Sequence, residues 1–395
     1  MMDRMPQRNS RSNKGRRQCG LYVHVPYCHT KCGYCDFYSV ALDESGVDGL
    51  IQMVGREVRS RIRIVDQEIR TVFCGGGTPT VLPPDLLARL ADELSQIGRT
   101  HGVEEFTVEA NPGTIDDEKL GLLLRAGVNR VSMGAQTFDV EELAVLERLH
   151  SPDDVRTSVA RVRLRGIRQI SIDLIFGIPG QTLGSWNESL QRAMELEPDH
   201  VACYGLTYEP GTRLYGQHKA GVVTACDEEL EAEMYLHAID TLAVAGYEQY
   251  EISNFARPGC QCLHNLAYWH NEPYIGVGPS AAGYLNGRRY KNVSDIQAYV
   301  QMMETQGHAE VESEVIDKRT LMTEMLMMQL RLVEGLSIAD FRERTGVDPV
   351  ALFGDALDQL VERGLVTVSG THIALTRNGR LVADRVIVEL ASSCA

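Results

Sequence analysis

The chain has 395 residues, of which 44% are hydrophobic and 24% are charged. This composition is typical of a soluble globular protein with a large core, and it excludes a disordered, collagen-like or coiled-coil chain. The net charge of −15 disfavours nucleic acid as the main partner, because an acidic surface repels phosphate groups. No segment approaches the roughly 18 uncharged apolar residues of a membrane span, and we expect a cytoplasmic protein.

The first 19 residues form a basic segment that differs from the rest of the chain. They contain six basic residues, one acidic residue and little apolar content beyond three methionines. Such a segment lacks both the apolar core of a signal peptide and the apolar face of an import helix. We therefore predict a disordered, solvated tail over residues 1–19.

Residues 20–246 alternate between strand and helix patterns. Six apolar, β-branched segments predict strands at residues 20–26, 71–74, 105–110, 129–133, 169–175 and 200–206. Helical patterns lie at residues 46–63, 84–97, 116–126, 139–165, 184–195 and 226–245. This order predicts an α/β fold with parallel strands, either a partial, TIM-like (β/α)6 barrel or an open doubly wound sheet. No GxGxxG or GxxxxGK[ST] loop follows these strands, which disfavours a nucleotide-binding Rossmann or P-loop domain.

The last part of the chain predicts an α+β extension with a different organisation. Residues 247–315 are rich in aromatic residues, glycine and asparagine, and predict irregular structure with short strands. Residues 316–395 contain three helical patterns, a β-hairpin and a last helix, an order typical of a winged helix. The expected recognition segment, residues 349–363, is acidic apart from Arg363. A structural or docking role is therefore favoured over a DNA-binding regulator.

Three of the ten cysteines lie within eight residues. Cys28, Cys32 and Cys35 have the spacing C-x3-C-x2-C on a loop that follows the first predicted strand. Three thiolates on one tight loop suit three irons of a [4Fe–4S] cube and leave the fourth iron open to a small chelating molecule. Zinc is the alternative, but zinc sites usually add a second C-x2-C unit or two histidines, and no second unit follows nearby.

Polar and glycine-rich segments follow the other predicted strands. The second strand leads into residues 75–79, GGGTP, where the missing side chains let a ligand approach the backbone. Glu109 and Asp173 lie near the ends of the third and fifth strands. A carboxylate among Ile and Leu residues is costly to bury without a partner or a ligand. The two carboxylates predict a polar ring over the barrel mouth, with a structural salt bridge as the alternative for each.

The cysteine loop resembles the signature of the radical S-adenosylmethionine superfamily, whose fold is a partial (β/α)6 barrel. The segments LYVHVPYC, GGGTPT, VEANP, GAQTF and SIDLIFGIPGQT resemble the HemN/HemW branch, over most of residues 20–390. The resemblance implies a [4Fe–4S] cluster on the three cysteines, with S-adenosylmethionine on the open iron. It implies that S-adenosylmethionine contacts Tyr22, Tyr34, Gly76, Gly77, Thr78, Glu109, Gln136, Arg148 and Asp173. For Arg148, which lies in a predicted helix, a plain surface arginine is an equal alternative.

The branch contains two functions, and the sequence departs from one of them. HemN-type proteins are oxygen-independent coproporphyrinogen III dehydrogenases, whose loop reads C-x3-C-x2-C-x-C and whose N-terminal arm is longer. Here Phe37 stands at the position of the extra cysteine, and 27 residues precede Cys28. Both departures disfavour this radical oxidoreductase, which is the alternative function.

HemW-type proteins are haem chaperones that carry the motif HNxxYW. The matching residues here are His264, Asn265, Tyr268 and Trp269. An imidazole is a natural axial ligand of haem iron, and the aromatic rings offer flat faces to the macrocycle. Cys262 and His270 are alternative ligands, and a packed, hydrogen-bonded histidine is the alternative reading of His264.

The predicted function is therefore that of a cytoplasmic haem chaperone that carries a [4Fe–4S] cluster and S-adenosylmethionine. The HNxxYW motif that would bind haem lies in the segment of residues 247–315. The resemblance further implies a haem-promoted homodimer and delivery of haem to acceptor haemoproteins, including respiratory, membrane-associated ones.

Overall fold

The structure is a computed structural model, and it describes residues 18–43 and 45–394. The strands of this part are, in chain order, β1 (Gln18–Val25), β2 (Tyr27–Cys28), β3 (Val40–Ala41), β4 (Glu68–Gly76), β5 (Glu105–Ala110), β6 (Arg130–Gln136), β7 (Gln169–Phe176), β8 (His200–Gly205), β9 (Glu248–Gln249), β10 (Asn254–Ala256), β11 (Tyr274–Val277), β12 (Ala282–Leu285), β13 (Arg288–Asn292), β14 (Glu310–Val315), β15 (Leu336–Ser337), β16 (Val366–Val368) and β17 (His372–Leu375). The helices are α1 (Val47–Arg63), α2 (Pro84–His101), α3 (Asp117–Ala126), α4 (Val140–Val145), α5 (Pro152–Leu164), α6 (Leu183–Glu195), α7 (Arg213–Lys219), α8 (Glu228–Val244), α9 (Leu263–Trp269), α10 (Ile296–Thr305), α11 (Lys318–Gln329), α12 (Ile338–Thr345), α13 (Pro349–Glu362), α14 (Arg377–Leu381) and α15 (Ala383–Ala391).

The predicted basic tail lies outside the described residues, except for its last two residues. Gln18 and Cys19 begin strand β1, so regular structure starts before the predicted end of the tail. None of the helices described has the length and apolar character needed to cross a membrane.

Twelve strands form one sheet, in the order β14-β13-β12-β11-β1-β4-β5-β6-β7-β8-β10-β9. At its centre, β1, β4, β5, β6, β7 and β8 are parallel and follow one another in space as they do in sequence. A doubly wound sheet reverses its strand order at a switch point, so this sequential order excludes that alternative. The prediction of a partial (β/α)6 barrel is confirmed, and its carboxyl-terminal strand ends are called the mouth below.

Side chains alternate between two faces along the barrel strands. On β1, Leu21 and Val23 are fully buried in the apolar core that also contains helix residues such as Leu50 of α1. Tyr22 lies on the other face, inside the barrel, where its ring is 6.3 Å from that of Phe73 on β4. The inward positions carry most of the polar side chains that are discussed below.

The predicted helix over residues 139–165 is wrong as a single element, because the structure has two helices, α4 and α5, in this range. Glu147 adopts a left-handed conformation with φ of 55°, which ends the first helix. Ser151 then caps the second helix in a capping box with Asp154, ahead of Pro152. Arg148 therefore lies in the turn between the two helices and not on a helix.

The rest of the chain extends and flanks the barrel. Strands β11 to β14 continue the sheet beyond β1, and β10 and β9 continue it beyond β8. Helices α11 to α15 and the small sheet β15-β17-β16 enclose a separate apolar core, which includes Phe341, Phe353 and Leu390. The order of three helices, a hairpin and terminal helices in this unit is that of a winged helix.

Candidate functional site

The cysteine loop, residues 26–36, leaves β1 at the mouth of the barrel and is fastened to the end of β4. The Gly77 amide donates to the Val25 carbonyl at 2.9 Å, and the Thr78 amide donates to the Tyr27 carbonyl at 2.7 Å. A Cβ atom on Gly77 would lie 2.5 Å from the Tyr27 carbonyl oxygen, so this approach requires glycine. The glycine run therefore seats the cysteine loop.

Contacts on the other side of the loop come from the α4–α5 turn and from α7. The Leu214 amide donates to the Gly33 carbonyl at 2.9 Å, and Arg213 Nη2 donates to the Lys31 carbonyl at 3.0 Å. Arg213 also pairs with Glu147, whose carboxyl group lies against Gly33. The loop is thus held from two sides by parts of the barrel that are distant in sequence.

The three thiols of this loop are half-buried and free. The Cys28 sulfur lies 3.6 Å from Thr78 Oγ1, and Arg148 Nη1 donates to the Cys32 sulfur at 3.4 Å. Burial raises the pKa of the Cys28 and Cys35 thiols, and charge on the neighbouring cysteines raises both further. The three thiols therefore share one electrostatic site at the mouth.

The donor set of this loop fits an iron–sulfur cube, in which each thiolate binds a separate iron. A zinc site instead draws its ligands around a single ion. Within residues 18–43 and 45–394, no three Cys, His, Asp or Glu side chains are grouped around the position of a single metal ion.

Arg148 reaches from its turn into the mouth, and it is not a plain surface arginine. Its Nη2 donates to Asn111 Oδ1 at 2.6 Å and to the Gly134 carbonyl at 2.7 Å, while Nη1 contacts Cys32. Asn111 Nδ2 in turn donates to Thr78 Oγ1 at 2.8 Å. Asn111 belongs to the VEANP segment, but sequence reasoning gave it no role.

Glu109 and Asp173 lie inside the barrel just below the mouth. The Glu109 carboxylate accepts from the Gly76 amide at 2.9 Å, and a Cβ atom on Gly75 would collide with it. Asp173 accepts from the Ser171 hydroxyl at 2.9 Å and from the Ser132 hydroxyl at 3.1 Å.

The charges of these two carboxylates are coupled. Burial raises the pKa of Glu109 to about 7, opposed by the Gly76 amide and assisted by the charge of Asp173. Burial also raises the pKa of Asp173, and the Ser171 hydroxyl opposes that rise. A cationic ligand would stabilise the ionised form of two such neighbouring carboxylates.

Gln136 and Tyr34, two other residues predicted to contact S-adenosylmethionine, also lie at the mouth. Gln136 ends β6 after a β-bulge and has a left-handed conformation with φ of 67°. Tyr34 of the cysteine loop packs on the apolar cluster that contains Leu206 and Leu214. The structure thus brings the cysteines, the glycine run, Arg148 and the two carboxylates to the same end of the barrel as these two residues.

Tyr22 lies deeper in the barrel than the other predicted residues. Its hydroxyl donates to His24 Nδ1 at 2.8 Å, and His24 Nε2 donates to the Tyr38 carbonyl at 2.9 Å. His24 is buried, and sequence reasoning missed it. The available signal was a histidine two residues after Tyr22, on the same inward face of an otherwise apolar strand.

The opposite end of the barrel is closed by α9 and is called the floor below. Glu105, the first residue of β5, accepts from the Leu263 amide at 2.8 Å and from the His264 amide at 3.0 Å, so a carboxylate caps the amino end of α9. Arg130, only 2% exposed, is the first residue of the neighbouring strand β6. Sequence reasoning gave no role to Glu105 or Arg130.

His264 is packed into this floor and is 1% exposed. Its Nδ1 is hydrogen-bonded to Thr71 Oγ1 at 2.7 Å and its Nε2 to the Tyr268 hydroxyl at 2.9 Å. Its ring stacks on Phe73 with centroids 5.2 Å apart. Burial and the charge of Arg130 lower the pKa of His264 to about 3. Both ring nitrogens of His264 therefore have partners within the chain in this conformation, and its role as an axial haem ligand stays a prediction.

The predicted haem motif is also far from the cysteines. Gly20, whose Cβ position is 3.1 Å from the His264 ring, pairs with Thr71, whereas Val25 pairs with Gly76. Five residues of β-strand separate the two pairs, a distance of about 17 Å. The haem motif and the cysteine loop thus lie at opposite ends of one barrel.

The four residues of the motif are divided between two faces of α9. Tyr268 faces inward with His264, and their rings are 4.8 Å apart. Asn265 and Trp269 are half-buried on another face. The Trp269 Nε1 atom is buried and has no hydrogen-bond partner among the described residues.

The two alternative iron ligands differ in their surroundings. Cys262 is fully buried, and its thiol donates to Glu105 Oε1 at 3.4 Å. His270, at the carboxyl end of α9, has a side chain that is 39% exposed, and its Nε2 lies 3.6 Å from a carboxylate oxygen of Glu334. Arg344 of α12 donates to the His270 carbonyl at 3.0 Å. The imidazole of His270 is thus the more exposed of these two candidate side chains.

Comparison with known proteins identifies two family models and several curated relatives. Residues 22–193 match the radical SAM superfamily, and residues 316–382 match the HemN C-terminal domain. A protein of Bacillus subtilis named heme chaperone HemW is 37% identical over 92% of this chain and 97% of its own length. The heme chaperone HemW of Escherichia coli is 33% identical over 93% of this chain and 96% of its own length. The mitochondrial radical S-adenosyl methionine domain-containing protein 1 of Bos taurus is 33% identical over 96% of this chain and 88% of its own length.

Among solved structures, the coproporphyrinogen III oxidase HemN of Escherichia coli has a similar fold. The TM-score is 0.81 over 95% of this chain and 91% of that chain, with 23% sequence identity. The similarity covers the barrel, the sheet extension and the C-terminal unit.

Proposed function

Because this chain belongs to the radical SAM superfamily and to its heme chaperone HemW family, we propose that it binds haem and transfers it to acceptor haemoproteins. The observation that carries the proposal is the match to proteins named heme chaperone HemW over nearly the whole of both chains. Phe37 supports it, because it stands where HemN-type dehydrogenases have a further cysteine. Haem is the cargo in this proposal, and the mouth of the barrel has a separate role.

Membership of the radical SAM superfamily implies a [4Fe–4S] cluster and S-adenosylmethionine. We propose that the cluster binds to Cys28, Cys32 and Cys35. Together the bound groups supply one-electron chemistry at the sulfonium. Of the chain's own groups, Glu109 accepts hydrogen bonds from the ammonium group of S-adenosylmethionine, and Asp173 accepts them from its ribose hydroxyls. In this proposal Arg148, Gln136, Tyr22, Tyr34 and the Gly76–Thr78 segment complete the pocket.

For the haem iron we propose His270 as the axial ligand instead of His264. Freeing His264 would cost two hydrogen bonds and the stack on Phe73. His270 needs to give up only a 3.6 Å contact with the exposed carboxylate of Glu334. The indole N–H of Trp269, the preceding residue, is buried and lacks a partner among the described residues.

Haemin titration tests the haem proposal. Wild-type protein should give a saturable Soret band at about one haem per chain. His270→Ala should weaken or shift that band, whereas His264→Gln should leave its position unchanged if the fold is retained. A band that shifts only in the His264 variant would overturn the assignment of His270. Transfer of bound haem to an apo-haemoprotein, followed by absorbance, tests the chaperone activity itself, and failure of wild type to bind haemin would overturn the proposed function.

The cluster proposal has its own test. Replacing the three loop cysteines together by alanine should remove all iron and sulfide from anaerobically prepared protein. The matched control replaces Cys226 and Cys260, which are half-buried cysteines elsewhere in the chain, and should keep both. Retention of the cluster by the triple variant would contradict the proposal. Turnover of coproporphyrinogen III by the reduced protein would replace the chaperone by the dehydrogenase.

We propose in addition that the protein acts in the cytoplasm, forms a homodimer when haem binds, and delivers haem to respiratory haemoproteins at the membrane. These points rest on the family resemblance alone. Sedimentation velocity with and without haemin should show a monomer-to-dimer shift that follows haem occupancy. An unchanged sedimentation coefficient at full occupancy would rule out the haem-promoted dimer.

A further inference from the structure

A chain of hydrogen bonds connects two of the three loop thiols through residues outside the cysteine loop. It runs from Cys32 Sγ to Arg148 Nη1 at 3.4 Å, from Arg148 Nη2 to Asn111 Oδ1 at 2.6 Å, from Asn111 Nδ2 to Thr78 Oγ1 at 2.8 Å, and from Thr78 Oγ1 to Cys28 Sγ at 3.6 Å. We propose that Asn111 is a positioning residue: it orients Arg148 and Thr78 so that each donates a hydrogen bond to one cluster thiolate, which raises the reduction potential of the cluster. The inference rests on the proposed cluster and is independent of haem.

The chemistry of the groups fixes the direction of each bond. A guanidinium group has only donors, so Asn111 must turn its carbonyl oxygen to Arg148 and its NH2 group to Thr78. Thr78 Oγ1 therefore accepts from Asn111, and the hydroxyl hydrogen of Thr78 is left for the Cys28 sulfur. A metal-bound thiolate has no hydrogen of its own and only accepts. Both ends of the chain thus direct a donor at sulfur.

The donors are also held in place. Thr78 is 3% exposed, and its amide is bonded to the Tyr27 carbonyl at 2.7 Å. Arg148 has a second anchor in the Gly134 carbonyl at 2.7 Å. Hydrogen bonds to the sulfurs stabilise the more negative, reduced cluster, and such outer contacts tune cluster potentials in general. A charged donor such as Arg148 strengthens this effect.

Potentiometric titration tests the proposal on the anaerobically reconstituted protein without S-adenosylmethionine. The midpoint potential of the cluster is followed by electron paramagnetic resonance in wild type, Thr78→Val, Thr78→Ser and Asn111→Leu. Thr78→Val and Asn111→Leu should shift the potential to more negative values. Thr78→Ser keeps the hydroxyl and should stay at the wild-type value. Unchanged potentials in Thr78→Val and Asn111→Leu at full iron and sulfide content would overturn the proposal.

A measurement on wild type covers the case in which a variant fails to assemble its cluster. Electron–nuclear double resonance of the reduced cluster in H2O and D2O should reveal strongly coupled exchangeable protons from the Thr78 hydroxyl and the Arg148 guanidinium. Their absence would overturn the inference and leave the proposed function standing. A wild-type protein that holds no cluster at all would instead remove the cluster from the proposed function.

Discussion

The mouth and the floor of the barrel carry the two motifs that the sequence marks as binding sites, and they differ in how far the fold already uses their side chains. At the mouth, the three thiols are half-buried and two carboxylates have raised pKa values. At the floor, both ring nitrogens of His264 and the carboxylate of Glu105 have partners within the chain. A cationic ligand would stabilise the charged groups at the mouth, whereas His264 and Glu105 at the floor already have partners within the chain.

The difference teaches that a motif alone does not distinguish a residue that binds a ligand from a residue that stabilises the fold. His264 is a good iron ligand by its chemistry, but Thr71 of β4 and Tyr268 of α9 use both of its nitrogens. The partners that decide this lie 193 and 4 residues away in sequence. The partners of His264 in the barrel cannot be read from the hexapeptide alone.

The largest expected effect distinguishes two glycines that both contact the cysteine loop. Gly77→Ala would place a methyl group 2.5 Å from the Tyr27 carbonyl oxygen, and backbone cannot move aside cheaply. Gly33→Ala would meet the Glu147 carboxyl carbon at 2.9 Å, at the flexible end of a side chain. We expect Gly77→Ala to lose most of its iron and sulfide and Gly33→Ala to keep them, by elemental analysis. Equal iron content in the two variants would contradict the attachment of the loop to β4.

The second prediction concerns the floor. His264→Ala leaves the Thr71 and Tyr268 hydroxyls without their partner and opens a cavity, so we expect a loss of about 3 kcal/mol in the free energy of unfolding. The measurement is urea denaturation of the cluster-free protein. His270→Ala is the control and should change stability by less than about 0.5 kcal/mol, because its side chain is half-exposed. A stable His264 variant would show that the floor is not a structural element.

The same residue predicts a pH dependence of stability. The pKa of His264 is about 3 in the folded chain against an ordinary 6.5, so the unfolded chain binds the proton more readily. The stabilisation by neutral His264 is complete above pH 6.5 and is lost as the pH falls towards 3. The difference in unfolding free energy between wild type and His264→Ala should therefore shrink over this range. A constant difference would mean that the imidazole is not held neutral.

Local sequence patterns were sufficient to predict the barrel strands, since each apolar segment between helical patterns forms one of the parallel strands of the barrel. They failed where a turn interrupts a helical pattern, although Ser151 and Pro152 marked the start of α5. The grouping of the cysteines was local in sequence and therefore visible. The contacts of Asn111 and Glu105 depend on which strands are neighbours, and a single sequence does not specify side-chain pairs between strands.

The last prediction uses the titration of Glu109 at the mouth. Its pKa of about 7 means that the carboxylate is protonated below neutral pH and then offers one oxygen fewer to a cationic ammonium group. The affinity of the cluster-loaded protein for S-adenosylmethionine should therefore fall about tenfold for each pH unit below 7, as measured by anaerobic titration calorimetry. Glu109→Gln should bind more weakly and lose this pH dependence, whereas Glu104→Gln, at an exposed position on the same barrel, should keep it.

Proton release gives a second test of the same carboxylate. Below pH 7 Glu109 is mostly protonated, and the ammonium group binds its ionised form, so binding must release a proton. Calorimetry in two buffers of different ionisation enthalpy measures that proton directly, and a value of zero at pH 6 would exclude Glu109 as the acceptor of the ammonium group.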